Sequence, residues 1–556
     1  MSTIERRSAN YKPSIWHDEY LQSLNSAYGE KRFLQRAEKL KGEVTALMER
    51  TNDPLDQIEV VDLLQRLGIF YHFTDYIDRI LGNVNILADG HGRNIDNNLH
   101  ATALSFRLLR QHGHKIPTEV FRNFMDESGK NFKTNVCNDI KGLLSLYEAS
   151  YLLTEGENIL EEAKEFAAHH LKQELKQNIN KNIADEIEHA LEVPFHYRML
   201  RLESKWFIDA YEKRPDMNPI MLELAKLDFN IVQAMYQDEL KELWHTRTRL
   251  SEKMTFARDR LVECFLWTVG FTFEPCFRYC RIMSVKLAVL ITIIDDIYDV
   301  YATLNELELF TDIVERWDIN AIEQLPEYMK ICFLALFNTV NEMAYDVLID
   351  NGFNIIPHST SRWAELCKKY MLEAQWYYSG YKPSLEAQWY YSGYKPSLNE
   401  FLSNGWVSST GPLLIVHAYI CITNPPKDES LEDLQIHPEI LKWTSLVSRL
   451  ADDLGTSTDE LKRGDNPKSI QCYMHDKGCS EEDSHTYIKN LIDSTWKKIN
   501  EDALMNREHS RDFIKTSINF ARISQCMYQY GDGHGIPDRE SKARILSLVM
   551  EPFPLP

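Results

Sequence analysis

The amino-acid sequence predicts an all-α protein built from two helical domains, and three observations carry that expectation. Apolar residues recur at helical spacing: in "IEVVDLLQRLGIF", Val60, Leu63, Leu64 and Leu67 take the 0, 3, 4, 7 positions of one face. "NILEEAKEFAAHHLKQELKQNI" and "NELELFTDIVERW" repeat the pattern, while alternating strand-like runs bounded by Asn-Gly or Gly-Pro turns are few. The chain of 556 residues also exceeds what one hydrophobic core organises. Prolines and charges interrupt the periodicity at "YEKRPDMNP", Tyr211 to Pro219, before a new helical pattern begins at "IMLELAKLDFNIVQAMYQ".

Composition narrows the function classes. Against 62 Lys and Arg stand 83 Asp and Glu, a net charge of −21, so a nucleic-acid backbone would be repelled. A phosphate-bearing ligand therefore needs a local positive patch or a bound metal. The apolar run Pro412–Thr423 contains a histidine and is too short to span a bilayer, so no membrane partner is expected. The 10 cysteines show no paired zinc-site spacing and read as reduced thiols in a cytosol-like compartment. No secretory h-region opens the sequence. The expected location is cytoplasmic for a complete chain, and plastid if an N-terminal segment has been removed.

"LEAQWYYSGYKPS" occurs at 372–384 and again, identically, at 385–397. A solenoid needs more and longer units. Each copy ends in a Gly/Pro loop, so the second is expected to bulge out between two helices at modest entropic cost.

The chemistry gathers in two oxygen-rich stripes. "ITIIDDIYDVY", Ile291 to Tyr301, ends an apolar run in Asp295, Asp296 and Asp299 with no Lys or Arg inside it. Carboxylates at the end of a buried segment are costly unless positive charge reaches them, so the stretch is expected to receive a cation from outside. Asp295 and Asp299, four apart, stack on one helix face, and Asp296 points about 100° away toward a supporting role. Further on, "RLADDLGTSTDELKRGD" sets Asp452, Thr456 and Glu460 along a second stripe, with Arg449 and Lys468 near enough to meet an anion. Oxygen-only donors select a hard cation, Mg²⁺ or Mn²⁺, and two stripes facing across a bundle make a known kind of metal site. A diphosphate suits such a metal, and its departure leaves a carbocation. An apolar, aromatic pocket would shelter that cation.

At these residues the chain resembles the plant terpene synthases of the angiosperm monoterpene-synthase type, over essentially its whole length. DDxxD stands as "DDIYD", (N/D)Dxx(S/T)xxxE as "DDLGTSTDE", RRx8W as "RRSANYKPSIW" from Arg6 and Arg7 to Trp16, and RxR as "RDR", Arg258 to Arg260. The resemblance implies an N-terminal helical barrel-like domain over 1–215, inert in class II chemistry since no DxDD precedes residue 210, and a class I catalytic α-bundle over 216–556. It implies three Mg²⁺ ions, with Mn²⁺ as a substitute, held by Asp295, Asp299, Asp452, Thr456 and Glu460. Arg258, Arg449 and Lys468 would contact diphosphate, and Trp267 would face the cation. Tyr528, Asp532 and His534 would lie near the mouth and move a proton, Arg6 and Arg7 would cap the closed site, and Thr410–Gly411–Pro412 would break a helix. The family's paired tryptophans before RxR are replaced by "LWHTRTRL".

The expected activity is Mg²⁺-dependent ionisation of geranyl diphosphate to a monoterpene, by a monomer or weak homodimer. A farnesyl-diphosphate enzyme making a sesquiterpene is the rival within the chemistry. A catalytically dead helical scaffold, or a gene-model artefact broken by the tandem copy, is the rival outside it. The oxygen-only donors generate a direct test. Turnover should vanish in chelator and return with Mg²⁺ or Mn²⁺ but not with Ca²⁺, which prefers longer bonds and looser geometry. Full turnover in chelator would exclude a metal-assisted reaction.

Overall fold

The structure, a computed structural model, describes residues 6–89, 98–246, 250–379, 395–422, 438–463, 466–505, 509–536 and 539–555. Among these residues the secondary structure is helical throughout, and the one β feature is an isolated bridge between Met125 and Phe132. The chain forms two compact units. One comprises Asn25–Gln237, Lys497–Asn506 and Leu546–Pro556; the other comprises Met1–Leu24, Asp238–Trp496 and Arg507–Ile545.

The first unit is assembled from short amphipathic helices with strong local start signals. Helix Pro54–Arg66 begins with proline at its first position, where a missing N–H costs nothing, and Asp53 accepts from the N–H of Leu55 at 2.8 Å. Its core face is Ile58, Val61 and Leu64, with Leu67 just beyond, while Val60 and Leu63 are only half-buried. The expected stripe was therefore rotated, because Ile58 widens the apolar face and shifts its centre. Helix Asn158–Glu174 buries Leu160, Ala163, Ala167 and Leu171, the face its periodicity predicts.

Between Tyr211 and Pro219 one helix stops and another starts, with the Asn218 side chain accepting from the N–H groups of Ile220 and Met221. The new helix runs unbroken from Pro219 to Thr246. The units change over inside it, at Gln237–Asp238, and not at the expected 215/216 boundary. A break in periodicity marks where a helix ends, whereas the unit changes where the packing partners of one continuous helix change.

In the second unit the helices that build the site are α1 (Leu261–Phe271), α2 (Arg278–Asp296), α3 (Leu304–Arg316), α4 (Glu327–Asn351), α5 (Ile356–Ser379), α6 (Leu398–Ser408), α7 (Gly411–Ile422), α8 (Glu439–Arg463), α9 (Ser469–Lys477) and α10 (Arg511–Tyr528). α1 and α7 are buried along their lengths, and α8 packs most extensively on α10. Two stretches, Glu327–Asn351 and Leu398–Ile422, are long and apolar enough by composition to cross a bilayer, beyond what the Pro412–Thr423 run indicated. The second is interrupted between α6 and α7 and is largely buried.

That interruption is the expected Thr410–Gly411–Pro412 break. Thr410 is held left-handed at φ 70°, an arrangement that costs a side-chain-bearing residue about 1–3 kcal/mol. Gly411 follows because nothing larger fits: a Cβ there would lie 2.3 Å from Ser445 Oγ on α8 and 3.0 Å from Phe520 on α10. The first copy of the tandem segment supplies the last turns of α5 through Ser379. The end of the second copy supplies Ser397, which caps α6 reciprocally with Glu400. Residues 380–394, where the looped-out copy was expected, lie outside the described residues.

Candidate active site

α2 carries its apolar run into Asp295 and Asp296 and then changes pitch. Ile297–Tyr301 forms a π-turn, with the Ala302 N–H donating to the Ile297 carbonyl at 3.0 Å. Asp299 therefore sits on wider winding than the α-helical i, i+4 stack the spacing predicted. Asp296 is fully buried and Asp295 is partly open. Arg258 serves both: its Nη2 donates to Asp295 Oδ2 at 2.6 Å, its backbone N–H donates to Asp296 Oδ2 at 2.7 Å, and its Nε lies 2.9 Å from Asp296 Oδ1. The stretch itself holds no cation, and the one expected from outside it is supplied by Arg258. The cation comes from a segment 37 residues upstream, out of view of any local motif. Even so, burial keeps the Asp296 carboxyl above its ordinary range against the pull of Arg258.

The second stripe lies on α8. Arg449 pairs with Asp452, and its Nε donates to Asp453 Oδ1 at 2.8 Å, while Asp453 also accepts from the Ser469 N–H at 3.1 Å. Lys468 Nζ lies 3.2 Å from Glu460 Oε2. Withdrawal from water, against Arg449 and with Glu460 adding to it, pushes the Asp452 carboxyl up to about 7. Thr456 is buried, and its Oγ1 has no hydrogen-bond partner. An orphaned hydroxyl between two carboxylates makes an oxygen-only donor set that a hard divalent ion would complete.

The N-terminal segment packs on the same bundle through its arginines. Arg7 Nη1 donates to the Asp299 carbonyl at 2.9 Å, and Arg6 Nη1 donates to the Tyr301 carbonyl at 3.1 Å. Tyr378 on α5 donates to the next carbonyl, that of Ala302, at 2.9 Å. The two arginines thus meet the negative end of the helix that bears the aspartates. Arg6 also grips Glu306 with both nitrogens, at 2.8 and 2.9 Å. Burial would raise Glu306, but Arg6 and the Thr303 N–H outweigh it and hold it down to about 2. Trp16 donates from Nε1 to Glu263 on α1 at 3.1 Å, and Arg260 holds the Lys12 carbonyl at 2.9 Å.

Behind the aspartates stands an aromatic wall. Trp267 on α1 meets Phe520 at 5.8 Å, Tyr528 at 6.0 Å and His534 at 6.4 Å between ring centroids. Burial, reinforced by Asp452 and Asp532, raises the Tyr528 phenol well above its usual range. Burial, reinforced by Arg258 and Arg260, holds His534 well below its own. Both are therefore neutral near pH 7, with His534 Nε2 at 3.2 Å from Thr292 Oγ1. Asp532 accepts from the Gly535 N–H at 2.7 Å.

The structure brings Asp299, Arg449, Lys468 and Arg7 to the lining of one cleft. It does not gather three carboxylate, His or Cys side chains around one point among the described residues. Instead Arg258 occupies Asp295, Arg449 occupies Asp452 and Lys468 occupies Glu460. Sequence reasoning missed Glu373, which lines the same cleft from α5 and accepts from Ser408 Oγ at 2.6 Å and Asn404 Nδ2 at 2.8 Å. Its position inside "LEAQWYYSGYKPS" offered a signal, since a lone carboxylate there precedes an aromatic cluster, but the repetition drew the reading away.

Residues 15–191 match the terpene synthase N-terminal domain. Residues 246–387 and 385–498 match the metal-binding domain of the terpene synthase family, the two pieces meeting within the tandem copy. The chain belongs to the terpene synthase family. It is 64% identical over 560 residues to a (+)-epi-alpha-bisabolol synthase of Phyla dulcis, with all of both chains covered. It is also similar to limonene synthase crystallised with 2-fluorolinalyl diphosphate, at TM-score 0.94 and 43% identity over 99% of this chain and 100% of that one. Isoprene synthase from Populus x canescens, solved with three Mg²⁺ ions and dimethylallyl-S-thiolodiphosphate, aligns at TM-score 0.85 and 44% identity over 97% and 99% of the two chains. This terpene synthase is accordingly a lyase acting on a prenyl diphosphate.

The unpartnered hydroxyl yields a test of the α8 stripe. Thr456→Val keeps the shape and removes an oxygen that satisfies nothing in the protein, so the melting midpoint should be unchanged or higher. Turnover at limiting Mg²⁺ should nonetheless fall, roughly 10–100-fold by analogy with supporting groups at metal sites. A loss of stability with normal turnover would make Thr456 a packing residue only.

Proposed function

We propose that this terpene synthase ionises farnesyl diphosphate and rearranges the resulting carbocation to a sesquiterpene. The observation that carries the substrate choice is the 64% identity, end to end, with an enzyme named for bisabolol, a C15 product. The motifs alone favoured geranyl diphosphate. Support for that second reading comes from the 43% identity to limonene synthase, whose product is C10.

The residues divide the work by charge. Arg258, Arg449 and Lys468 stand at the rim of the carboxylate stripes, where turning toward an entering diphosphate would exchange one anionic partner for another. Asp295, Asp452 and Glu460 would then be released to hold Mg²⁺ together with Asp299 and Thr456, with Glu373 in the same cleft as a further oxygen donor. Bound Mg²⁺ would supply Lewis-acid neutralisation of the diphosphate. The C–O bond breaks with its electron pair leaving on diphosphate, and Arg258 steadies that charge through its planar fork. Trp267 offers a π face to the cation left behind. Asp532 would take a proton from it, with Tyr528 relaying that proton as a neutral phenol, and Arg6 and Arg7 would close the site through the carbonyls of Tyr301 and Asp299.

Gas chromatography after parallel incubation with geranyl and farnesyl diphosphate tests the substrate choice. The expected result is a kcat/KM for farnesyl diphosphate at least tenfold higher, roughly 1.4 kcal/mol in transition-state binding. A preference of that size for the C10 substrate restores the geranyl reading, and no turnover of either leaves the inactive scaffold.

A further inference from the structure

Tyr11, within "RRSANYKPSIW", lies between the capping arginines and Trp16 and stands over the central ion pair. Its ring covers Arg258, whose guanidinium carbon is 5.1 Å from the ring centroid, inside the range of a cation–π contact. The edges of that guanidinium are taken by Asp295 and Asp296, at 2.6 Å and 2.9 Å. Its face belongs to Tyr11. We infer that Tyr11 is a positioning residue, whose ring holds the Arg258 guanidinium in the plane from which it exchanges Asp295 for a diphosphate oxygen.

The backbone is shaped to deliver that ring. Asn10 is left-handed at φ 50°, a conformation its short polar side chain tolerates, and its N–H donates to Ser8 Oγ at 3.2 Å. Pro13 biases Lys12 toward extended backbone, and Arg260 Nη2 donates to the Lys12 carbonyl at 2.9 Å. On the other side Arg7 is anchored to the Asp299 carbonyl. Tyr11 is thus fixed from both directions, with a sharp turn directly before it. Because the ring belongs to the segment that carries Arg6 and Arg7, Arg258 is steadied only while that segment is in place.

An aromatic ring suits this task for a physical reason. A guanidinium is weakly hydrated and donates at its edges, so a π face steadies it without consuming a donor that the diphosphate needs. A carboxylate in the same place would compete with the substrate, and an aliphatic side chain would offer no such attraction. Tyr11 stays neutral there. Burial, with Asp296, Asp295 and Asp299 adding to it and Arg258 opposing, raises its phenol well above the ordinary range. This role rests on Arg258 receiving the diphosphate, as proposed above.

Calorimetric binding of inorganic diphosphate in the presence of Mg²⁺, with turnover measured alongside, tests the role on the full chain. Tyr11→Leu should weaken diphosphate about three- to tenfold and lower turnover, whereas Tyr11→Phe, which keeps the ring, should restore both. A residue that merely packs the segment would add its cost to that of any other change. Combined with Arg258→Lys, which keeps the charge and loses the planar fork, Tyr11→Leu should instead cost less than about twofold more. If Arg258→Lys alone binds diphosphate normally, Arg258 does not receive it, and the role of Tyr11 falls with that reading. With Arg258→Lys weakened, three results would each overturn the positioning role by itself: full additivity of the two changes, Tyr11→Phe as impaired as Tyr11→Leu, or normal binding by Tyr11→Leu. Should Arg258→Lys fail to fold, the contrast between Tyr11→Leu and Tyr11→Phe decides alone.

Discussion

Charge compensation at the end of an apolar helix is the constraint on which the rest of the site depends. α2 has to be apolar to be buried, yet it terminates in carboxylates, and an uncompensated buried carboxylate costs several kcal/mol. Arg258 meets this demand by placing one guanidinium and its own backbone N–H on Asp295 and Asp296 together. The same arrangement recurs on α8, where Arg449 and Lys468 hold Asp452, Asp453 and Glu460. The protein thus keeps its anionic stripes folded with internal cations. Those cations are also the groups best placed to receive an anionic substrate.

The N-terminal segment extends the logic to the backbone. A helix that ends in a π-turn leaves carbonyls pointing outward, and those of Asp299 and Tyr301 are taken by Arg7 and Arg6. Glu306 fixes Arg6 from α3 while also capping that helix, so one carboxylate ties the segment to the element that follows the aspartates. Trp16 and Lys12, held by Glu263 and Arg260, secure the rest of the stretch to the RxR region. Substrate entry that draws Arg258 away from Asp295 would therefore be felt by the π-turn and by the segment lying over it.

Much of this was legible in the sequence, for physical reasons. Periodicity dictates helix, and the Thr410–Gly411–Pro412 break follows from proline and from the close approach that only Gly411 allows. The two stripes were visible because their spacing is local. What escaped detection was non-local or lay below the resolution of a pattern. No spacing rule links Arg258 to Asp295, the switch from α to π winding changes no residue type, and Glu373 looks ordinary until Ser408 and Asn404 are packed on it. The unit changeover inside Pro219–Thr246 was missed because a helix carries no mark where its packing partners change.

The central claim is that the carboxylates are neutralised internally until a diphosphate recruits the cations away. Calorimetric titration of the protein with Mg²⁺, with and without inorganic diphosphate, measures this directly. The account predicts weak Mg²⁺ binding alone, strengthened by diphosphate at least tenfold, about 1.4 kcal/mol of coupling, with reciprocal tightening of diphosphate by Mg²⁺. Tight Mg²⁺ binding that diphosphate leaves unchanged would contradict it.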